Sequence, residues 1–424
     1  MSDEIANWTI ITYIAAHNNL ESAGRRSLDQ ILSVGSTSHL NLVALYDKPS
    51  GAARYIAGKP GHAAIEEALN EFDSGDPDAL LETVRWAVTC RPAHHYGLLL
   101  WSHGSGWRPE EVGEVARQAR GDDAVSDIEA TERSAQPSSM ALFRTTLARM
   151  LSQSNAAERA VCFDDGSGHS LDALELERVV SEIQGFVGQP LDLLGMDACL
   201  MASLEVAYQI RRHVRYLVAS EEMVPVSSWP YDSIFQALNA APEMSAEILT
   251  SLVVRHYLDY YTTHPPQLNA GDVTKVAVNL AMIDEIKQAI DDLAGVLLEN
   301  MEEQAAHLWA AQRQTRRKET SLETRSPTKF GLHLWDLGSL ALSLAGKSRN
   351  PDVKQAARSV QAALRPKGAI LAEGHRGDWF DGIGGLSIYA VPPGIQRISP
   401  YYGSLALAQN TRWAEMLKAY HQEL

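Results

Sequence analysis

The run 191–196, Leu-Asp-Leu-Leu-Gly-Met, is largely apolar and shows no alternation with polar residues. A strand of that kind has both faces covered, which confines it to the interior of a mostly parallel sheet with helices on each side. The run ends in Asp197-Ala198-Cys199, and beyond it Met201, Leu204, Val206, Ala207 and Ile210 recur at helical spacing. Cys199 is therefore expected where a strand gives way to a helix. Open α/β sheets collect their ligands and catalytic groups at that end of the strands. The unpaired N–H groups of a helix N-terminus would also favour the thiolate. Cys199 is thus a candidate nucleophile, with a small buried hydrophobe as the alternative that position alone does not remove.

A second strand ends in the complementary group. Tyr96-Gly97-Leu98-Leu99-Leu100-Trp101 runs into Ser102-His103-Gly104-Ser105-Gly106-Trp107. Glycines directly after His103 let the backbone come close to a ligand while the ring faces a cleft. A thiol and an imidazole at two strand ends of one sheet are the nucleophile and base of a thiol hydrolase.

Strand-His-Gly-Ser-Gly-Trp, then strand-Met-Asp-Ala-Cys-Leu-Met, then Ala-Ser-Glu-Glu ahead of Trp-Pro-Tyr, resembles the clostripain-type cysteine peptidases. The resemblance runs from about Trp8 to the C-terminus and is weak over 108–158 and 299–329. It implies an α/β caspase-like fold, a three-layer αβα sandwich around a mostly parallel central sheet. It also implies a peptidase cutting after a basic P1 residue, Arg in preference to Lys, through a Cys199/His103 dyad. Ser220, Glu221, Glu222 and Trp229 are placed by it along the substrate cleft. Asp197 is assigned to the P1 side chain. Strand parity also turns Asp197 to the same side as Cys199, where a carboxylate suits the planar fork of arginine; a buried structural carboxylate is the alternative. The backbone N–H groups of Gly104 and Cys199 are the expected oxyanion donors. In this family, activating self-cleavage falls between the His and Cys strands, and Arg120 and Arg133 are the candidate points here. A solvated spacer is the alternative for that stretch.

Further strands are expected at 8–15, 40–47, 158–165, 214–219 and 275–280, with a hairpin arm at 54–56. Helices are expected at 78–90, after a Ser170 cap, and over 401–419. Residues 1–298 form the expected peptidase core, with 108–158 an inserted linker, and 299–424 an accessory C-terminal subdomain packed on it. With 424 residues, 45% of them hydrophobic, the chain can bury a large core. Its formal charge of −16 and lack of a basic stripe argue against nucleic acid, and no run is long and apolar enough for a bilayer. The partners expected are a protein or peptide substrate with Arg or Lys at P1, and a regulatory protein.

Three scattered cysteines, Cys90, Cys162 and Cys199, give neither a disulfide framework nor a Cys-rich zinc site. The acidic start Met1-Ser2-Asp3-Glu4 leads straight into a strand, so a cytoplasmic location is expected, where a defence role against one dedicated protein would fit. Asp164-Asp165-Gly166 does not match an EF-hand calcium loop, and no cofactor or metal is expected. The competing function is a catalytically idle module that keeps the fold for binding or regulation.

Overall fold

The computed structural model describes residues 5–104, 161–162, 169–222, 224–264, 273–315, 334–364, 368–377, 382–391 and 398–423. The expected linker 108–158 with Arg120 and Arg133, and the Asp164-Asp165 turn, lie outside the described residues.

Eleven strands are described: β1 (Ala6–Ala15), β2 (Leu40–Asp47), β3 (Ala52–Ile56), β4 (Ile65–Leu69), β5 (Ala93–Trp101), β6 (Leu191–Asp197), β7 (Val214–Ala219), β8 (Val273–Asn279), β9 (Leu334–Asp336), β10 (Ile370–Arg376) and β11 (Ser387–Tyr389). Nine form one sheet in the order β10-β8-β7-β6-β5-β1-β2-β3-β4, and β9 pairs with β11 in a small second sheet. The middle of the large sheet is parallel, from β7 through β6, β5 and β1 to β2. Antiparallel strands finish both edges.

The continuous apolar strands do what their composition requires. Along β1, Ile11, Tyr13 and Ala15 enter one core while Trp8, Ile10 and Ile14 enter the other. Both faces are therefore buried, as a period of two in side-chain direction demands when neither face is polar. The helices Pro77–Cys90, Ala173–Val187, Leu204–Ile210 and Ile283–Glu299 supply the first core, and Glu21–Val34, Tyr231–Ala240 and Ala246–Thr263 the second. This is the expected mostly parallel α/β sandwich.

Several local expectations are corrected. Of the strand expected at 158–165 only Val161 and Cys162 are described, the rest lying outside the described residues; Val161 makes isolated bridges to Gly104 and Leu171, and Cys162 has a left-handed φ of 56°. The helix after Ser170 is capped by Asp172, whose carboxylate accepts from the Leu174 and Glu175 N–H groups while Glu175 reaches back, a capping box. The last helix is broken into a 3-10 turn, Pro400–Ser404, and helices Ala406–Asn410 and Trp413–Glu423. The C-terminal region does more than pack on the core. Its β10 runs antiparallel to β8 and completes the large sheet, and its helix Pro351–Leu364 packs on Ile283–Glu299.

Candidate active site

Strands β5 and β6 are paired so that Trp101 stands opposite Asp197. Two residues further along each chain are His103 and Cys199, which therefore leave the sheet at the same level on neighbouring strands. Gly104 fixes their relation. A Cβ there would stand 2.5 Å from the Cys199 carbonyl oxygen and 2.9 Å from its nitrogen, so only glycine lets the histidine loop lie against the Cys199 backbone. Ser102 ties the same loop down, its hydroxyl donating to the Ala15 carbonyl at 3.0 Å.

The His103 ring is half-buried, and its Nε2 lies 2.9 Å from Asn19 Oδ1. With the amide oxygen as acceptor, Nε2 carries the proton and Nδ1 is the nitrogen left free to take one. Burial holds the imidazole down at about 4, so it is neutral at pH 7. Asn19 was not identified from sequence. It lies in the loop after β1, and only the sheet order, which sets β1 beside β5, brings it to the histidine.

Cys199 is not at a helix N-terminus. β6 stops at Asp197, the chain turns with Leu200 in the left-handed region at φ 63°, and the helix begins at Leu204 with Ser203 as its cap. The thiol is 6% exposed, and Sγ accepts from the Val224 N–H at 3.3 Å. Burial pushes it up to about 11, with that N–H acting in the opposite sense. A neutral imidazole and a protonated thiol are thus the resting state.

Asp197, the last residue of β6, turns to the face occupied by Trp229 and Tyr231 and is 4% exposed. Its Oδ2 accepts from Ser228 Oγ, from the Trp229 N–H at 3.2 Å and from Tyr231 Oη at 2.8 Å. Because the chain turns at Ala198, the expectation that Asp197 and Cys199 share one side of an extended segment does not hold. A charged residue missed from sequence lies on the Asp197 face. Lys275 on β8 is 1% exposed, its Nζ standing 4.0 Å from the Tyr257 ring centre and 4.7 Å from that of Trp229. Its signal was a single lysine inside the apolar run Val273-Thr-Lys-Val-Ala-Val. Burial lowers its ammonium to about 7, opposed by the charge of Asp197.

The residues expected along an open cleft are buried. Ser220, Glu221, Glu222 and Trp229 are all 8% exposed or less. The Glu221 and Glu222 N–H groups donate to Thr274 Oγ1 at 3.1 and 3.3 Å. The Ser220 and Glu222 carbonyls accept from the Ala202 and Leu200 N–H groups, strapping the turn that carries Cys199. Among the described residues no group of three or more His, Cys, Asp or Glu side chains is placed to hold a metal, and no helix is long and apolar enough to cross a membrane.

The profile of the clostripain family, peptidase C11, matches residues 12–131 and 148–417. Clostripain of Hathewaya histolytica is 24% identical over 265 residues, which is 55% of this chain and 42% of that protein, so the match spans less than half of the relative's length. The fold is similar to the X-ray structure of a secreted C11 cysteine protease from Bacteroides thetaiotaomicron in complex with an irreversible peptide inhibitor. The TM-score is 0.62 at 17% identity, with 98% of this chain and 99% of that one covered. It is also similar to an inactive zymogen C11 protease from Parabacteroides distasonis, with a TM-score of 0.62 at 16% identity, covering 96% and 98%. The cytoplasmic location expected from the N-terminus is corrected by the first of these, a secreted protein.

Proposed function

The chain belongs to the clostripain family, and from that premise we propose that it is a cysteine endopeptidase whose nucleophile is Cys199 and whose base is His103. The observation that supports this most is the in-register exit of the two residues from β5 and β6, locked by Gly104 against the Cys199 backbone.

In the reaction the Cys199 sulfur attacks the scissile carbonyl carbon and loses its proton to His103. The resting charges call for this order, since a protonated thiol needs a base and a neutral imidazole is one. The oxyanion is held by backbone N–H groups, with Gly104 and Cys199 as the donors, an arrangement worth on the order of a hundredfold per donor. His103 then protonates the leaving amine as the C–N bond breaks. Water, deprotonated by the same ring, cleaves the thioester and returns the proton to sulfur. Asn19 positions the imidazole and fixes its tautomer.

The burial of Cys199 supports a latent ground state, with the Ser220 and Glu222 carbonyls tied to its turn and the Val224 N–H donating to the thiol. The opening cut falls, on this reading, within 108–158, with Arg120 and Arg133 as the candidate points and either this peptidase or a regulatory partner as the agent. Asp197 is the group in the S1 pocket that meets the P1 side chain. The test is hydrolysis of fluorogenic peptides by the purified chain, before and after nicking by immobilised trypsin. Cleavage should be abolished in Cys199→Ala and cut at least a thousandfold in His103→Ala; persistence of cleavage in Cys199→Ala would refute the assignment.

A further inference from the structure

The turn that carries Cys199 is braced from two sides. The Ser220 and Glu222 carbonyls hold one, and the C-terminal region holds the other. The Ala202 carbonyl accepts from the Ser387 N–H at 2.9 Å and from the Ser387 hydroxyl at 3.2 Å, and Ser203 forms a parallel bridge with Ser387. Ser387 opens β11, a strand of three residues whose sheet contains only β9 besides. A two-stranded pairing that short does not hold its place unaided. A second anchor stands at the other end of β11, in Glu205 of the helix Leu204–Ile210.

Glu205 is fully buried. Its Oε1 accepts from the Tyr389 N–H at 2.9 Å and from Tyr402 Oη at 3.4 Å. Tyr389 is fixed around this contact. Its carbonyl accepts from Trp413 Nε1 at 2.6 Å, its hydroxyl accepts from the Ser399 N–H at 2.9 Å, and its ring centre lies 4.6 Å from that of Tyr402. Three anchors of the C-terminal region thus meet at Tyr389, and Glu205 joins them to the helix that follows the nucleophile's turn.

A glutamine would accept the same N–H, so a carboxyl at this point calls for a reason. Among the described residues no Lys, Arg or His pairs with it. The titratable groups facing it from the C-terminal region are phenols, Tyr402 with Tyr389 beside it. Of the helices packed on Leu204–Ile210, Ala173–Val187 brings Glu177, which accepts from Gln209, and Ile283–Glu299 brings Asp284, which accepts from Arg211. The third, Ala406–Asn410, brings no titratable side chain. Burial raises the Glu205 carboxyl to about 7, opposed chiefly by the Tyr389 N–H.

Resting on the peptidase reading, we infer that Glu205 is a positioning residue for the nucleophile: it pins β11, and through Ser387 the turn 199–203, so that Cys199 stays against the His103 loop. Its proton sets how firmly it does so. The enclosed carboxyl is neutral in mild acid, and as the pH rises through 7 it becomes a buried charge with no cation beside it, which the protein relieves by letting β11 lift and water enter. Against the 4.5 of a solvated carboxyl, the proton's share of the hold is complete below pH 4.5, declines above it and is gone once the pH passes 7.

The experiment compares full-length wild type, Glu205→Gln and Glu205→Ala by timed iodoacetamide labelling of Cys199 at pH 6 and 8.5, with the exposed Cys90 as internal reference. Thiolate chemistry is common to the three and cancels in their ratios. At pH 8.5 Cys199 of Glu205→Gln should label at least threefold more slowly than that of the wild type, the two agreeing within twofold at pH 6. Glu205→Ala leaves the Tyr389 N–H without its acceptor and should label at least tenfold faster than Glu205→Gln at both. The same proteins are then nicked by immobilised trypsin that is removed, with Cys199→Ala as the blank, and assayed on a fluorogenic peptide with Arg at P1. Glu205→Ala should lower kcat tenfold or more with KM within twofold, and Glu205→Gln should restore kcat to within threefold. Where Glu205→Ala does not fold, the Gln variant at pH 8.5 decides. A Gln variant that labels like the wild type at pH 8.5 overturns the part given to the proton, and an Ala variant that folds, labels and turns over like the wild type overturns the role of Glu205; the peptidase reading stands in both cases. Failure of the wild type to cleave the peptide, with Cys199 unlabelled by a peptidyl acyloxymethyl ketone, overturns the peptidase reading and this inference with it.

Discussion

Alkylation of Cys199 in the intact chain should be at least tenfold slower than that of Cys90 at pH 7.5. Cys90 is exposed and serves as the reference within the same molecule. Burial pushes the Cys199 thiol up to about 11 from the 9.0 of an unburied thiol. Below both values the thiolate fraction falls tenfold for each pH unit between them, so Cys199 carries roughly a hundredfold less thiolate than an unburied thiol. A more basic thiolate is also a better nucleophile, by roughly eightfold over this interval at a Brønsted slope of about 0.45. The chemical deficit is then about tenfold, and the 6% exposure of the residue adds an access penalty in the same direction. The sign with pH follows: the deficit is full near neutrality and narrows as the pH rises from 9 toward 11. Timed iodoacetamide labelling with peptide mass spectrometry, at pH 7.5 and 10, measures both rates. Equal or faster labelling of Cys199 at pH 7.5 would refute the closed, protonated resting state and point to a preformed thiolate.

Asn19→Ala should lower kcat about tenfold with KM little changed, and Asn19→Asp should restore part of the loss, which a merely structural role would not show. Gly104→Ala drives a methyl to within 2.5 Å of the Cys199 carbonyl; proteolysis should fall a hundredfold or more, with circular dichroism still reporting the α/β fold. Lys275→Met should stabilise the protein, and the gain depends on pH. The folded ammonium titrates at about 7 against an unfolded value of 10.5, so the cost of burying the charge is full below pH 7 and gone above about 10.5. The Tm of the variant should therefore exceed that of the wild type by several degrees at pH 6 and match it near pH 10.5. A wild type more stable at pH 6 would show the ammonium to be a net stabiliser. Tyr231→Phe removes one donor to Asp197 and should cost about 1.5–3 kcal/mol of stability in urea unfolding.

The alternation-free strands made the sandwich legible before any coordinates, because only a two-sided burial explains them, and β2 and β7 fall on the residues expected. His103 and Cys199 could be picked as candidates for a related reason: each stands two residues past the end of an apolar strand. What stayed hidden depends on lateral order. Asn19 belongs to a loop with no motif, and its contact with His103 exists because β1 lies next to β5. Lys275 could be marked as odd from sequence, yet its meaning needs the β6-β7-β8 register. The helix-terminus argument for Cys199 failed because apolar spacing from Met201 cannot reveal the left-handed Leu200 or the Ser203 cap, which delay the helix by a full turn.

The edge position of β10 carries a consequence for biosynthesis. It lines β8 along the whole stretch that holds Lys275, with Gly374 directly opposite the lysine. During synthesis β8 emerges nearly a hundred residues ahead of this partner, so its outer rim stays unpaired until β10 has been made. Ribosome-bound fragments ending before Ile370 would carry His103 and Cys199 on a large sheet that still lacks its outermost strand. Closure of the large sheet on this side therefore waits for a strand made long after the ones that carry His103 and Cys199.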